Sequence, residues 1–62
     1  MKKYKVSCLL SRVNKWSYQG IYSTNDFEKF ADRWFENDKF GNYKGIRFID
    51  VDNKKVIFEI KR

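Results

Sequence analysis

The side chains available set the limit on chemistry, and this chain has no histidine and one cysteine, Cys8. A Cys–His nucleophile cannot be assembled from that inventory, nor a metal centre ligated by nitrogen and sulfur. Cys8 alternates with apolar neighbours and reads as a small buried hydrophobe. The carboxylates offer little more. Asp26, Asp32, Glu36 and Asp38 follow one stretch at helical spacing and read as a solvated face. Asp50 and Asp52 flank a turn, where Asp serves turn geometry. The three glycines form no phosphate-binding loop. The expectation is a protein without catalytic residues, metal or cofactor.

Charge carries more information than nucleophiles. The chain has a net charge of +6. Residues 26–39 hold five acids and three bases, so the remainder carries eleven Lys or Arg against three acids. If one face of a sheet is packed and the other open, the open face presents Lys3, Lys5, Arg47, Lys55 and Lys61, interleaved with Leu9, Ile49 and Ile57. Cations that meet phosphates, beside flat groups that meet bases, are what single-stranded RNA or DNA requires. Trp16 and Tyr18 would complete such a site as stacking groups. The plainer reading is that surplus lysine serves solubility alone.

A second partner class fits the same residues. Leu9, Ile49, Val51, Ile57 and Trp16 form an apolar strip with a charged rim, which describes a protein-binding patch. A bare edge at the second strand would accept a partner's strand. Small basic chains of this type include phage-encoded inhibitors and adaptors that act on a host protein. Heavy use of Lys, Asn, Ile, Phe and Tyr suits a low-GC source such as a Gram-positive bacterium or its phages.

The elements that must position these residues are legible in the hydrophobic periods. Residues 2–11 alternate, with Tyr4, Val6, Cys8 and Leu10 on one side, which is a strand pattern. Residues 12–15 read as a turn and 16–22 as a returning strand, in which Gly20 marks a bulge or an edge position. Ser23, Thr24 and Asn25 supply capping oxygens, and Asp26 and Glu28 place negative charge in a first helical turn. Phe27, Phe30, Ala31, Trp34 and Phe35 then form a continuous apolar stripe, predicting a helix from about Asn25 to Lys39 that stops before Gly41. Residues 43–51 and 55–61 read as a second hairpin. A three-residue loop at Asp52–Lys54 pairs Ile46 with Ile60, Arg47 with Glu59, Phe48 with Phe58 and Ile49 with Ile57, matching like with like.

The fold class that follows is α+β: a four-stranded antiparallel sheet (ββαββ) with one helix packed on one face, in a single domain spanning residues 1–62. The preferred strand order is 2-1-3-4, which sends the polar, glycine-containing second strand to an edge. The helix then covers Tyr4, Val6, Leu10, Ile46, Phe48, Val56, Phe58 and Ile60. Trp16, Tyr18 and Tyr22 depend on the first turn. Four residues there send all three to the open face; three residues fold them into the core, the placement preferred here.

A chain of 62 residues buries little more than about half of its unfolded surface, and no disulfide is available to help. Twelve aromatics take that role. The unpaired cysteine fits a reducing, cytoplasmic setting. Met1-Lys2-Lys3 precedes an apolar run of only Val6 to Leu10, too short for a signal peptide or a membrane span.

Overall fold

The computed structural model describes residues 2–62, so Met1 of the amino-terminal run lies outside the described residues. It orders them as β1 (Lys3–Leu10), β2 (Trp16–Ser23), α1 (Phe27–Asn37), β3 (Tyr43–Asp50) and β4 (Val56–Lys61). The strands form one antiparallel sheet in the order β2-β1-β3-β4, with α1 across one face. This is the α+β ββαββ arrangement that the periodicity predicts.

Both hairpins turn in the same way. The Leu10 N–H donates to the Lys15 carbonyl at 2.9 Å and the Asn14 N–H to the Leu10 carbonyl at 3.2 Å. In the second hairpin the Asp50 N–H donates to Lys55 and the Lys54 N–H returns to Asp50, each at 2.9 Å. Each loop therefore has four residues, the fourth left-handed: Asn14 at φ 51° and Lys54 at φ 59°. The expected three-residue loop at Asp52–Lys54 is lengthened by Val51.

The paired aliphatic and aromatic residues still hold the register. Ile46 faces Ile60, Arg47 faces Glu59 and Phe48 faces Phe58, as like-with-like matching predicts. Beyond Phe48 a bulge inserts Ile57, so Ile49 faces Val56 rather than Ile57. Val56 thus leaves the core assigned to it and is exposed. An extra residue locally reverses side-chain parity, which is the physical reason.

Helix α1 begins two residues later than its capping oxygens suggest. The N-cap is Asp26, not Ser23 to Asn25, and its Oδ1 accepts the Lys29 N–H at 3.1 Å. Thr24 acts one step earlier: its hydroxyl oxygen accepts the Asp26 N–H at 3.1 Å and holds the cap in place. Capping of this kind contributes about 0.5–2 kcal/mol. At the other end the Asp38 N–H bonds the Phe35 carbonyl, and Gly41 at φ 64° lets the chain turn into β3.

The apolar stripe of α1 packs where it should. Val6, Cys8, Ala31, Ile46 and Phe48 are fully buried, with Phe27, Phe30, Trp34, Phe35, Tyr4, Tyr43 and Phe58 against them. Phe48 is the centre, with the Phe27 and Phe30 rings at 4.9 and 5.1 Å. Ile60, also expected in the core, stays partly exposed because β4 is an outer strand. Burial pushes the Cys8 thiol up to about 11, only partly offset by the Trp34 side chain.

Candidate functional site

The sheet face opposite α1 is built by register. Along β1, Lys3, Lys5, Ser7 and Leu9 point away from the helix, alternating with inward Tyr4, Val6 and Cys8. On β3, Arg47 stands beside Ser7, Ile49 beside Lys5 and Gly45 beside Leu9. On β4, Glu59 and Lys61 face Arg47 and Gly45.

Strand β2 decides the character of this face. Val6 pairs with Gly20 but Ser7 pairs with Tyr18, so Gln19 is an extra residue in a bulge. Gly20 sits there at φ 135°, a conformation closed to residues with a side chain. The bulge splits the three aromatics that sequence periodicity treats as one group. Before it, Trp16 faces Leu9 and Tyr18 faces Ser7, both on the open side. After it, Tyr22 faces Tyr4 and packs edge-on against Phe30 and Trp34 at 5.5 and 5.6 Å. The core placement preferred from sequence is therefore corrected for Trp16 and Tyr18, while Tyr22 turns to the helix side of the sheet but stays exposed at its margin.

Arg47 ties the open face together. Its guanidinium lies 3.8 Å from the Trp16 ring centroid, reaching across β1 from β3 to β2. On its other side Nε and Nη2 contact the same Glu59 carboxylate oxygen, at 2.8 and 2.7 Å. This strap explains why Ser7 and Leu9 are buried although they point away from the helix. The exposed ion pair is worth about 0.2–1 kcal/mol and the cation–π contact about 0.5–1. Arg47 is thus committed to Trp16 and Glu59, a partner set that single-sequence patterning does not reveal.

No family model, curated protein or solved structure matches this chain. Residue geometry therefore carries the functional reading. Of the predicted site residues, Lys3, Lys5 and Lys61 join Trp16, Tyr18 and Arg47 on the open face. Lys55 does not; it stands opposite Asp50 at the loop end of the second hairpin. Tyr18 keeps 60% of its surface exposed, so its ring is offered to solvent.

Two acids read as solvated or turn-forming prove to be structural anchors. Asp38 accepts the Asn42 and Tyr43 N–H groups at 2.9 and 2.8 Å and pairs with Arg62 at 3.0 Å, with only 3% of its side chain exposed. Burial works against its charged form, but those N–H groups and Arg62 outweigh it and hold its carboxyl below the usual range. Asp50 is likewise buried; the Lys2 ammonium at 2.6 Å and the Asp52 N–H keep it ionised. Among the described residues, no group of three or more His, Cys, Asp or Glu is placed to hold a metal ion, and no helix is long and apolar enough to cross a membrane.

Sequence reasoning missed one further feature. A groove of about 490 Å³ runs between β2 and α1, floored by Tyr22, Phe30 and Trp34 and bordered by Lys29 and Arg33. The signal was present as the basic pair at i, i+4 beside the apolar stripe, but it reads as ordinary solvated surface.

Proposed function

We propose that this protein is a small, non-enzymatic, cytoplasmic binding module that holds single-stranded RNA or DNA on its open sheet face. The observation that carries the reading is the four-residue first turn, residues 11–14, which sets Trp16 opposite Leu9 and Tyr18 opposite Ser7 on the same sheet face as Lys3, Lys5 and Lys61. An exposed ring among cations is a stacking platform: every base has a π-face, so affinity comes without strong sequence choice. Tyr18 would stack one base. The Arg47–Trp16 pair offers a second flat surface, because guanidinium planes also stack on bases. Lys3, Lys5 and Lys61 would meet phosphates. Arg47 would contribute less charge than its type suggests, since Glu59 already neutralises it.

Titration of a labelled single strand across a range of salt concentrations tests this. About three engaged phosphates give a log–log slope near −2, at roughly −0.7 per phosphate. Tyr18→Ala should weaken binding by about 1–3 kcal/mol and leave that slope unchanged. Lys3→Ala with Lys5→Ala should flatten the slope. Absence of binding at low ionic strength, where phosphate contacts are strongest, would refute the proposal.

A further inference from the structure

Strand β2 is an edge strand, and its sequence, Trp16 to Ser23, contains no charged residue in a chain that is 35% charged. Edges are normally blunted by charge because their unpaired N–H and C=O groups invite a further strand. The opposite edge, β4, follows that rule with Glu59 and Lys61. Here protection is limited to the bulge and to the Gln19 side-chain amide, which donates to the Ser17 carbonyl at 3.2 Å. Beyond the bulge, Ile21 and Tyr22 are both exposed. The groove floored by Tyr22, Phe30 and Trp34 lies against this same stretch.

We infer that the Gly20–Ser23 segment of β2 and the adjoining groove bind an extended, acidic peptide segment of another protein by strand addition. The backbone of the guest would pair with the free edge. Alternate side chains would then drop into the groove, because residues i and i+2 of a strand share a face. Those anchors are aromatic or aliphatic, to suit the Tyr22–Phe30–Trp34 floor. The residues two positions from each anchor, on the same face, are acidic, because Lys29 and Arg33 line the groove one helical turn apart. The one acid in the lining, Asp26, is occupied in capping α1.

Charge also separates this occupant from its rivals. A second copy joined β2 to β2 would bring two chains of net charge +6 together and set like Lys29–Arg33 rows near one another. A nucleic acid strand would find phosphate partners in Lys29 and Arg33, but only a polypeptide backbone repeats donors and acceptors at the spacing of a strand edge. The Phe30 and Trp34 rings stack on each other at 5.7 Å with Tyr22 edge-on, so they form a floor rather than a set of open faces.

The test uses the isotope-labelled full chain and a synthetic peptide in which one strand face alternates phenylalanine or valine with glutamate and the other carries serine and threonine, against the same peptide with lysine for glutamate. The glutamate peptide should shift the amides of residues 20–24 and the Tyr22, Phe30 and Trp34 rings, and slow exchange of the β2 edge amides. Lys29→Glu with Arg33→Glu should weaken it by about tenfold or more; Lys29→Gln with Arg33→Gln serves as the milder pair if the reversal disturbs α1. Equal binding of the lysine peptide, no binding of either, or edge protection from self-association without peptide would overturn the inference. So would an oligonucleotide that moves the groove signals. One that moves only Lys3, Lys5 and Tyr18 reports on the open face, so the two sites succeed or fail separately.

Discussion

Replacing Arg62 by methionine removes a cation from a buried carboxylate while keeping most of the stem that packs nearby. Arg62 Nη2 lies 3.0 Å from Asp38 Oδ2 and 2.9 Å from the Tyr43 carbonyl, and the guanidinium carbon sits 4.2 Å from the Phe35 ring centroid. Hydrogen bonds to charged groups contribute about 1.5–3 kcal/mol, and a cation–π contact about 0.5–1. Arg62 itself is 40% exposed, which discounts both. A loss of about 2 kcal/mol is expected. For a domain this small each kcal/mol is worth about 4–8 °C, so the midpoint of thermal unfolding should fall by about 8–16 °C. Its pH dependence separates this mechanism from lost packing. Asp38 has a folded-state pKa below its unfolded value, so the unfolded chain binds more protons between the two and stability rises with pH there. The contribution of the pair is present above the unfolded value of about 4 and lost as pH falls through the folded one. Denaturant unfolding of parent and variant at pH 7 and pH 2.5 is the assay, with Asp38→Asn as the second arm of a double-mutant cycle. A variant as stable as the parent at pH 7, or a difference undiminished in acid, would refute the reasoning.

Three further outcomes follow from packing and backbone. Phe48→Ala should cost about 3–5 kcal/mol, because Phe48 is fully buried at the centre of the aromatic cluster, whereas half-buried Trp34→Ala should cost less; comparable losses in denaturant titrations would contradict the placement of the core. Native Cys8 should resist thiol reagents until the protein unfolds, since its thiolate is suppressed by burial and by a pKa pushed up to about 11; labelling at the rate of a free thiol would count against this. Gly20→Ala should cost about 1–3 kcal/mol because φ 135° is closed to alanine, and a neutral result by calorimetry would show that the bulge relaxes.

The helix was legible because its stripe, from Phe27 to Phe35, is nearly all aromatic and no charge interrupts it. The second hairpin was legible because like residues face each other on both sides of the sheet. The first hairpin was not. Period-two counting from Trp16 puts Trp16, Tyr18 and Tyr22 together, and only an odd insertion separates them. Gly20 signalled that insertion, but a bulge swaps faces only for the residues beyond it, and sequence alone gives no direction for the swap. Asp38 was misjudged for a different reason: its helical spacing marks it as solvated, while the residue that buries it, Arg62, lies 24 positions away. The lysines of the candidate site were legible as charge. Their selection was not, since Arg47 is drawn to Trp16 and Glu59, and Lys55 is carried past the sheet by the lengthened turn.

The strand order has a consequence for how the chain assembles. Each hairpin is local in sequence, but β1 and β3 meet only after α1 has been crossed, and Leu10 must find Tyr43. The four fully buried apolar residues of the sheet, Val6, Cys8, Ile46 and Phe48, lie on those two strands alone. The hydrophobic reward for folding is therefore concentrated on a single long-range seam, and neither hairpin holds a core by itself. A lone two-stranded hairpin is marginal in water, so the halves have little to gain until they join. Loop-closure entropy must be met before that seam forms, which makes joining the two halves the slow step and opening between β1 and β3 the route to unfolding.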